Sequence, residues 1–171
     1  MLLKERSERG EATVLASKAQ EARLLHFKRQ FTRPDVHPFE QLKWERRKAS
    51  IANERGEVIF EHSDVEVPAS WSMMATNVVV SKYFRRSADG RGRESSVKQL
   101  IGRVVDTIAR WGREGGYFDS VEEADTFEAE LCHLLVEQKA AFNSRVWFNC
   151  GVEPKPQCSA CFINSVQDRM E

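Results

Sequence analysis

Three of the chain's four cysteines, Cys150, Cys158 and Cys161, fall within one short stretch, and the last two form a Cys-x-x-Cys pair. Thiols at this spacing suit two chemistries. A pair of thiols can cycle between dithiol and disulfide, handing on two electrons. Alternatively, four thiolate or imidazole ligands can close a tetrahedron around zinc. Zinc would need Cys150 and either Cys132 or His133 to complete the set, because the sequence has no second Cys-x-x-Cys. A thioredoxin-type centre would place the pair after a strand and at a helix N-terminus, where the dipole favours the thiolate. Here Pro154 and Pro156 precede the pair, and Phe162-Ile-Asn-Ser-Val166 after it reads as a strand. A third reading, inert cysteines buried at a strand entry, makes the fewest demands on spacing.

The elements that must position these residues are mainly helical, with one small β-hairpin. Ser96 with Gln99 and Ser120 with Glu123 have the capping-box pattern. Behind them, Val97, Leu100, Ile101, Val104, Val105 and Ile108 repeat at helical spacing, as do Ala124, Phe127, Leu131, Leu134 and Leu135. Gly115-Gly116 ends the first of these helices. Two short apolar runs flank Asn53-Glu-Arg-Gly56, which predicts a hairpin near 49–61 that Val65 and Val67 extend. Pro68 stops the strand, and Trp71–Phe84 is apolar nearly all round, the pattern of a buried helix with Met73 and Met74 as core filler. Cys132 reads as a small buried hydrophobe, His133 as a residue without a partner, and His37 as an exposed loop histidine between Pro34 and Pro38. Arg85–Arg93 holds four arginines and two glycines. It could approach a phosphate, but a solvated linker is the better reading. Residues 3–31 read as a charged helix or arm. Nothing legible upstream packs against residues 145–171, which therefore read as loosely held.

Composition narrows the function classes. Across 171 residues, Lys and Arg balance Asp and Glu at 26 each, so the net charge selects neither nucleic acid nor a membrane as partner. No apolar run reaches the roughly 20 residues of a membrane span. Cysteines without a secretory leader point to a reducing, cytoplasmic setting.

Several phrases along the chain carry a resemblance. Asn143-Ser144, Val146-Trp-Phe-Asn149, Gly151, Pro156-Gln-Cys-Ser-Ala-Cys-Phe-Ile163 and Ser165-Val166 resemble the N-terminal region of adenosylcobalamin-dependent (class II) ribonucleotide reductases. The likeness continues upstream through Phe31–Pro38, Trp44-Glu45, Ala75-Thr-Asn77, Ser81–Phe84 and Gln99-Leu-Ile101, so it covers roughly residues 30–171. Residues 1–30, which the likeness does not cover, stay a charged N-terminal helix or arm, and the resemblance implies a helical domain over 31–143. Residues 144–171 would be the substrate-loop segment and the first strand of a ten-stranded α/β barrel. It implies ribonucleotide reduction by thiyl-radical chemistry, in which two cysteines give up electrons and become a disulfide. Cys161 matches one member of that redox pair, with its partner outside this chain. Ser144, Ala160 and Cys161 match positions that contact the ribonucleotide substrate. Adenosylcobalamin would be bound by the part of such an enzyme beyond these residues, and a thioredoxin-like protein would be the reductant. The isolated chain would then be inactive unless the remaining barrel is supplied in trans. Arg145 stands where the family usually has proline. The competing readings are a non-catalytic helical remnant or interaction module, and a Cys-ligated zinc module.

Overall fold

The computed structural model describes residues 24–86 and 92–161. The strand expected at 162–166, the tip of the arginine segment and most of the N-terminal helix lie outside them. A long hairpin carries the packing surface. Strand β1 (Trp44–Ala52) pairs antiparallel with β2 (Val58–Pro68), from Trp44 opposite Pro68 to Ala52 opposite Val58. The turn is fixed by Asn53, whose Oδ1 accepts from Arg55 N at 2.9 Å and Glu57 N at 3.0 Å, and by Gly56 at φ +82°. The hairpin is longer than the expected 49–61. Its outer half is rich in Arg and Lys, which hide the period-2 pattern. An extra residue in β2, with Asp64 at φ +61°, forms a bulge that Arg46 Nη1 secures through the Asp64 carbonyl and carboxylate.

Beyond the bulge, Val65 and Val67 point inward and are fully buried, while Glu66 points the other way. Glu66 takes Ser96 Oγ–H at 2.5 Å and Lys98 Nζ at 2.9 Å. Those bonds, Lys98 first and then Ser96, hold its carboxyl below the usual carboxylate range. They also tie β2 to the N-terminus of the helix Val97–Glu114.

Among the described residues four helices follow: α1 (Met73–Lys82), α2 (Val97–Glu114), α3 (Val121–Val136) and α4 (Ser144–Asn149). A 3-10 turn over Pro38–Gln41 packs against α3, and His37 caps it by accepting from Phe39 N. Helix α1 lies on the hairpin, α2 crosses β2, and α2 and α3 pack together. The shared core includes Ala49, Val65, Val80, Ile101, Val105 and Leu135, with Trp71 donating its indole N–H to the Val136 carbonyl at 2.8 Å. The Ser96–Gln99 capping box forms in full. Gly115 caps α2, and Gly116 at φ +63° turns the chain.

Four expectations need correction. Met73 and Met74 are exposed, at 50% and 78%, as is Val78, because only one face of α1 meets the hairpin. The Ser120–Glu123 box is half-formed: Ser120 Oγ accepts from Glu123 N, but the Glu123 carboxylate turns to His26 Nδ1 at 3.1 Å. His133 does have partners, stacking on Phe31 with centroids 5.1 Å apart and meeting Lys139 Nζ at 2.8 Å. Burial, and secondarily the Lys139 charge, lower its pKa. Residues 24–31 are not helical. Leu25 N bonds to Tyr117 O at 2.7 Å, and Phe27 packs against Phe118 and Phe127, which also touch each other.

One carboxylate fixes the arm that follows. Glu130 of α3 accepts from the backbone N–H of Gln30, Phe31 and Thr32 and from Thr32 Oγ1–H at 2.7 Å. Burial opposes its charge, but these donors outweigh it and its pKa is lowered. A depressed folded pKa means stability that is fully present above the unfolded carboxylate range and lost as pH falls below that range and through the folded pKa. Replacing Glu130 with Gln is expected to destabilise the fold by about 1–2 kcal/mol at neutral pH and to flatten the acid limb of a pH–stability curve. An unchanged acid limb would contradict this.

Candidate functional site

Asn143 organises the segment singled out in the sequence. Its Oδ1 caps α4 by accepting from Arg145 N at 2.9 Å and Val146 N at 3.3 Å. Its Nδ2 donates to the Cys158 carbonyl at 3.3 Å. A second asparagine, Asn149, repeats the bridge from the other end of α4, with Nδ2 donating to Gln157 O at 2.7 Å. The two side chains thus lash the strip 157–158 alongside α4, and Ser159 N closes it by donating to Gln157 Oε1. Arg145 supplies a backbone N–H that a proline at this position would lack, and Asn143 Oδ1 accepts from it.

Ser144 opens α4 and shares a hydrogen bond with the Tyr83 hydroxyl at 3.0 Å. The Tyr83 ring is held by stacking on Phe148, 5.2 Å away and inclined 27°, and by a tilted contact with Trp147. Tyr83 therefore presents Ser144 from a rigid aromatic platform. Ala160 and Cys161 continue the same strip and are exposed.

The far end of α4 is fixed from below. Arg103 of α2 donates to the Cys150 carbonyl at 2.6 Å and the Trp147 carbonyl at 3.3 Å, satisfying groups the short helix leaves open. Its Nε pairs with Glu94 at 2.8 Å, and both side chains are largely buried. Cys150 is fully buried between Val104 and Val146, and Gly151 lies directly on α2. Residues 145–150 are thus anchored, contrary to the loose segment expected.

The four cysteines occupy different environments. Burial, aided by Asp106 and Glu128, pushes the Cys132 thiol up to about 12. Cys150 is also raised, by burial and then by Cys158 nearby. Cys158 is half-buried against the Cys150 cluster, and Cys161 is exposed. Among the described residues no group of three or more His, Cys, Asp or Glu is placed to hold a metal ion, so the proposed zinc set is not assembled. At pH 8 a thiol of pKa about 12 is thiolate on the order of one part in 10⁴. Cys161 is therefore expected to alkylate first and Cys132 last, as read by mass spectrometry of time-quenched samples. Equal rates at those two positions in the folded chain would refute the assignment.

Asn143 entered the sequence reading only as part of the resemblance, and its capping role came from the structure. The roles of Tyr83 and Arg103 were not legible either, because 61 residues separate Tyr83 from Ser144, and 44 separate Arg103 from Trp147. Among the described residues no helix is long and apolar enough to cross a membrane.

Residues 45–138 match the family model described as class II vitamin B12-dependent ribonucleotide reductase. The chain is 47% identical over 148 residues to the vitamin B12-dependent ribonucleotide reductase of Streptomyces coelicolor, covering 86% of this chain and 15% of that protein. It is 44% identical over 163 residues to the enzyme of the same name from Streptomyces avermitilis, covering 95% of this chain and 17% of the relative. The same name and 44% identity over 163 residues apply to Rhodopirellula baltica, at 78% and 16% coverage. The chain spans 15–17% of the length of these relatives. The family model matches more than half of the chain, which belongs to the class II vitamin B12-dependent ribonucleotide reductases and corresponds to their N-terminal region.

Proposed function

We propose that this chain supplies part of the substrate site and one redox thiol of an enzyme that reduces ribonucleotides to deoxyribonucleotides for DNA synthesis. The observation that carries the reading is the double bridge made by Asn143, which caps the Ser144 helix and holds the Cys158 carbonyl. One side chain thereby couples the hydroxyl proposed to meet the substrate to the strip bearing Ala160 and Cys161. The Ser144 hydroxyl can donate to a phosphate or ribose oxygen, and the backbone at Ala160–Cys161 offers further groups at the exposed end.

In this proposal, Cys161 and a second cysteine outside these residues together release two electrons and two protons as their disulfide forms. The ribose 2′-hydroxyl leaves as water and a hydrogen takes its place, so the reaction balances. Thiyl-radical chemistry at a third cysteine, also outside this chain, opens the reaction. A thioredoxin-like dithiol then restores the pair by exchange. Residues 162–166 are proposed as the first strand of the barrel that encloses the site.

The residues described do not fit adenosylcobalamin. A corrin needs a broad apolar floor, whereas two clefts among the described residues, about 460 and 890 Å³, are walled by charged groups such as Asp106, Arg113 and Glu128 in one and Arg86 and Arg93 in the other. The cofactor is therefore assigned to the rest of the protein, and the 171-residue chain alone is expected to be inactive. The test is a single turnover of the full-length enzyme without external reductant, followed by disulfide mapping. Cys161 is expected in a disulfide with a cysteine beyond residue 171. Cys161 found still reduced, or joined to Cys158, would overturn the assignment.

A further inference from the structure

We infer that the arginine-lined cleft at the C-terminal ends of α1 and α4 binds a phosphate-bearing anion of di- or triphosphate size. The cleft has a volume of about 890 Å³, and Lys82, Arg85, Arg86, Arg93 and Arg103 line it, with Glu94 the carboxylate among its lining residues. Among the described lining residues five cations face one carboxylate, a local concentration of charge in a chain that is electrically neutral as a whole. Such a site, with low-dielectric walls, focuses its field on an anion.

The fold prevents this charge from dispersing. Arg93 donates to the carbonyls of Phe84, Val80 and Ser81 at 2.8–3.1 Å, closing the end of α1, and its guanidinium lies over the Phe60 ring at 5.2 Å. Arg103 is held by Glu94 and the α4 carbonyls. The chain on either side of the arginine segment is paired, Arg86 bridging to Arg93 and Glu94 N donating to Arg85 O at 2.9 Å. The ends of the segment are therefore part of the fold and not the solvated linker expected from sequence. Burial, and secondarily the charge of Arg86, lower the pKa of Arg93. A bound anion would relieve that repulsion between like charges. Lys82 and Arg86 are exposed and remain accessible to a ligand.

The lining also says which part of a ligand is read. Phe84, the aromatic residue on its wall, is 3% exposed and buried in the main core, so it offers no face on which a base could stack. Recognition would fall on the phosphates, through the forked geometry that suits Arg to them. The site is separate from the one proposed above, since Ser144 opens α4 while this cleft adjoins Gly151 and Val152 beyond its end.

The test is calorimetric titration of the 171-residue chain with inorganic triphosphate, with adenosine triphosphate as a second probe and sodium chloride at matched ionic strength as control. Triphosphate is expected to bind with one-to-one stoichiometry and to raise the melting temperature, with adenosine triphosphate binding within about threefold of it. The double variant Lys82→Gln, Arg86→Gln changes two exposed side chains and should melt like the parent while binding at least about tenfold more weakly. Equal stabilisation by chloride, undiminished binding by the variant, or binding of the nucleotide but not of triphosphate would each overturn the proposal.

Discussion

Replacing Gly151 with alanine is expected to destabilise the folded chain by about 3 kcal/mol or more. Two independent costs coincide there. The residue sits at φ +72°, a region that side chains rarely adopt. A Cβ would also lie 2.6 Å from Arg103 Cγ, 2.7 Å from the Arg103 carbonyl and 2.7 Å from Thr107 Oγ1. The Thr107 hydroxyl cannot swing away without losing its bond to Arg103 O at 2.7 Å. The carbonyl is part of the α2 backbone, so relief would require α4 to lift from α2. That movement would break the Arg103 bonds to the Trp147 and Cys150 carbonyls and open the packing around fully buried Cys150. The check is urea unfolding of both proteins, with Cys150 alkylation as the local readout. Gly151→Ala should expose Cys150 to reagent at urea concentrations where the parent protects it. Gly56→Ala is the comparison: it has a similar positive φ with open space around the Cβ, so it should lose only the backbone term, about 1 kcal/mol. Similar losses at the two glycines would show that close approach to α2 contributes nothing.

The contrast between these glycines shows where sequence reasoning stopped. Gly56 was legible because its partners lie within the turn itself. At Gly151 the sequence offered only a residue type, since the atoms that forbid a side chain belong to a helix more than forty positions earlier. Helix α2 was readable for a similar reason: its cap, apolar period and glycine terminator are all local. Helix α1 was misjudged because an apolar run states what could be buried and not which face finds a partner. Glu123 fits the capping-box pattern, yet its carboxylate turned to His26 in the arm. For the candidate site, resemblance pointed to Ser144, Ala160 and Cys161. The residues that hold them, Tyr83, Arg103 and Asn143, emerged from geometry. Distance in sequence, more than weakness of propensity, separates the two groups.

Cys161→Ser in the full-length enzyme is expected to reduce steady-state turnover on the order of 10³-fold or more, whereas Cys158→Ser should stay within about threefold of the parent. The prediction follows from placement. Cys161 is exposed at the end of the strip that Asn143 and Asn149 hold against α4, while Cys158 turns toward the apolar cluster around Cys150. A serine at 161 preserves size and hydrogen bonding but cannot form the disulfide that carries two electrons. Substrate affinity should therefore be nearly unchanged while turnover collapses, which separates a redox role from a structural one. Asn143→Ala supplies the complementary arm. It removes the cap of α4 and the bond to the Cys158 carbonyl but leaves every thiol in place, so it should weaken substrate binding and retain a redox-competent Cys161. If Cys158→Ser were the variant that lost turnover, with Cys161→Ser active, the electron-donating role would pass to the half-buried thiol. The exposed end of the strip would then have no chemical task.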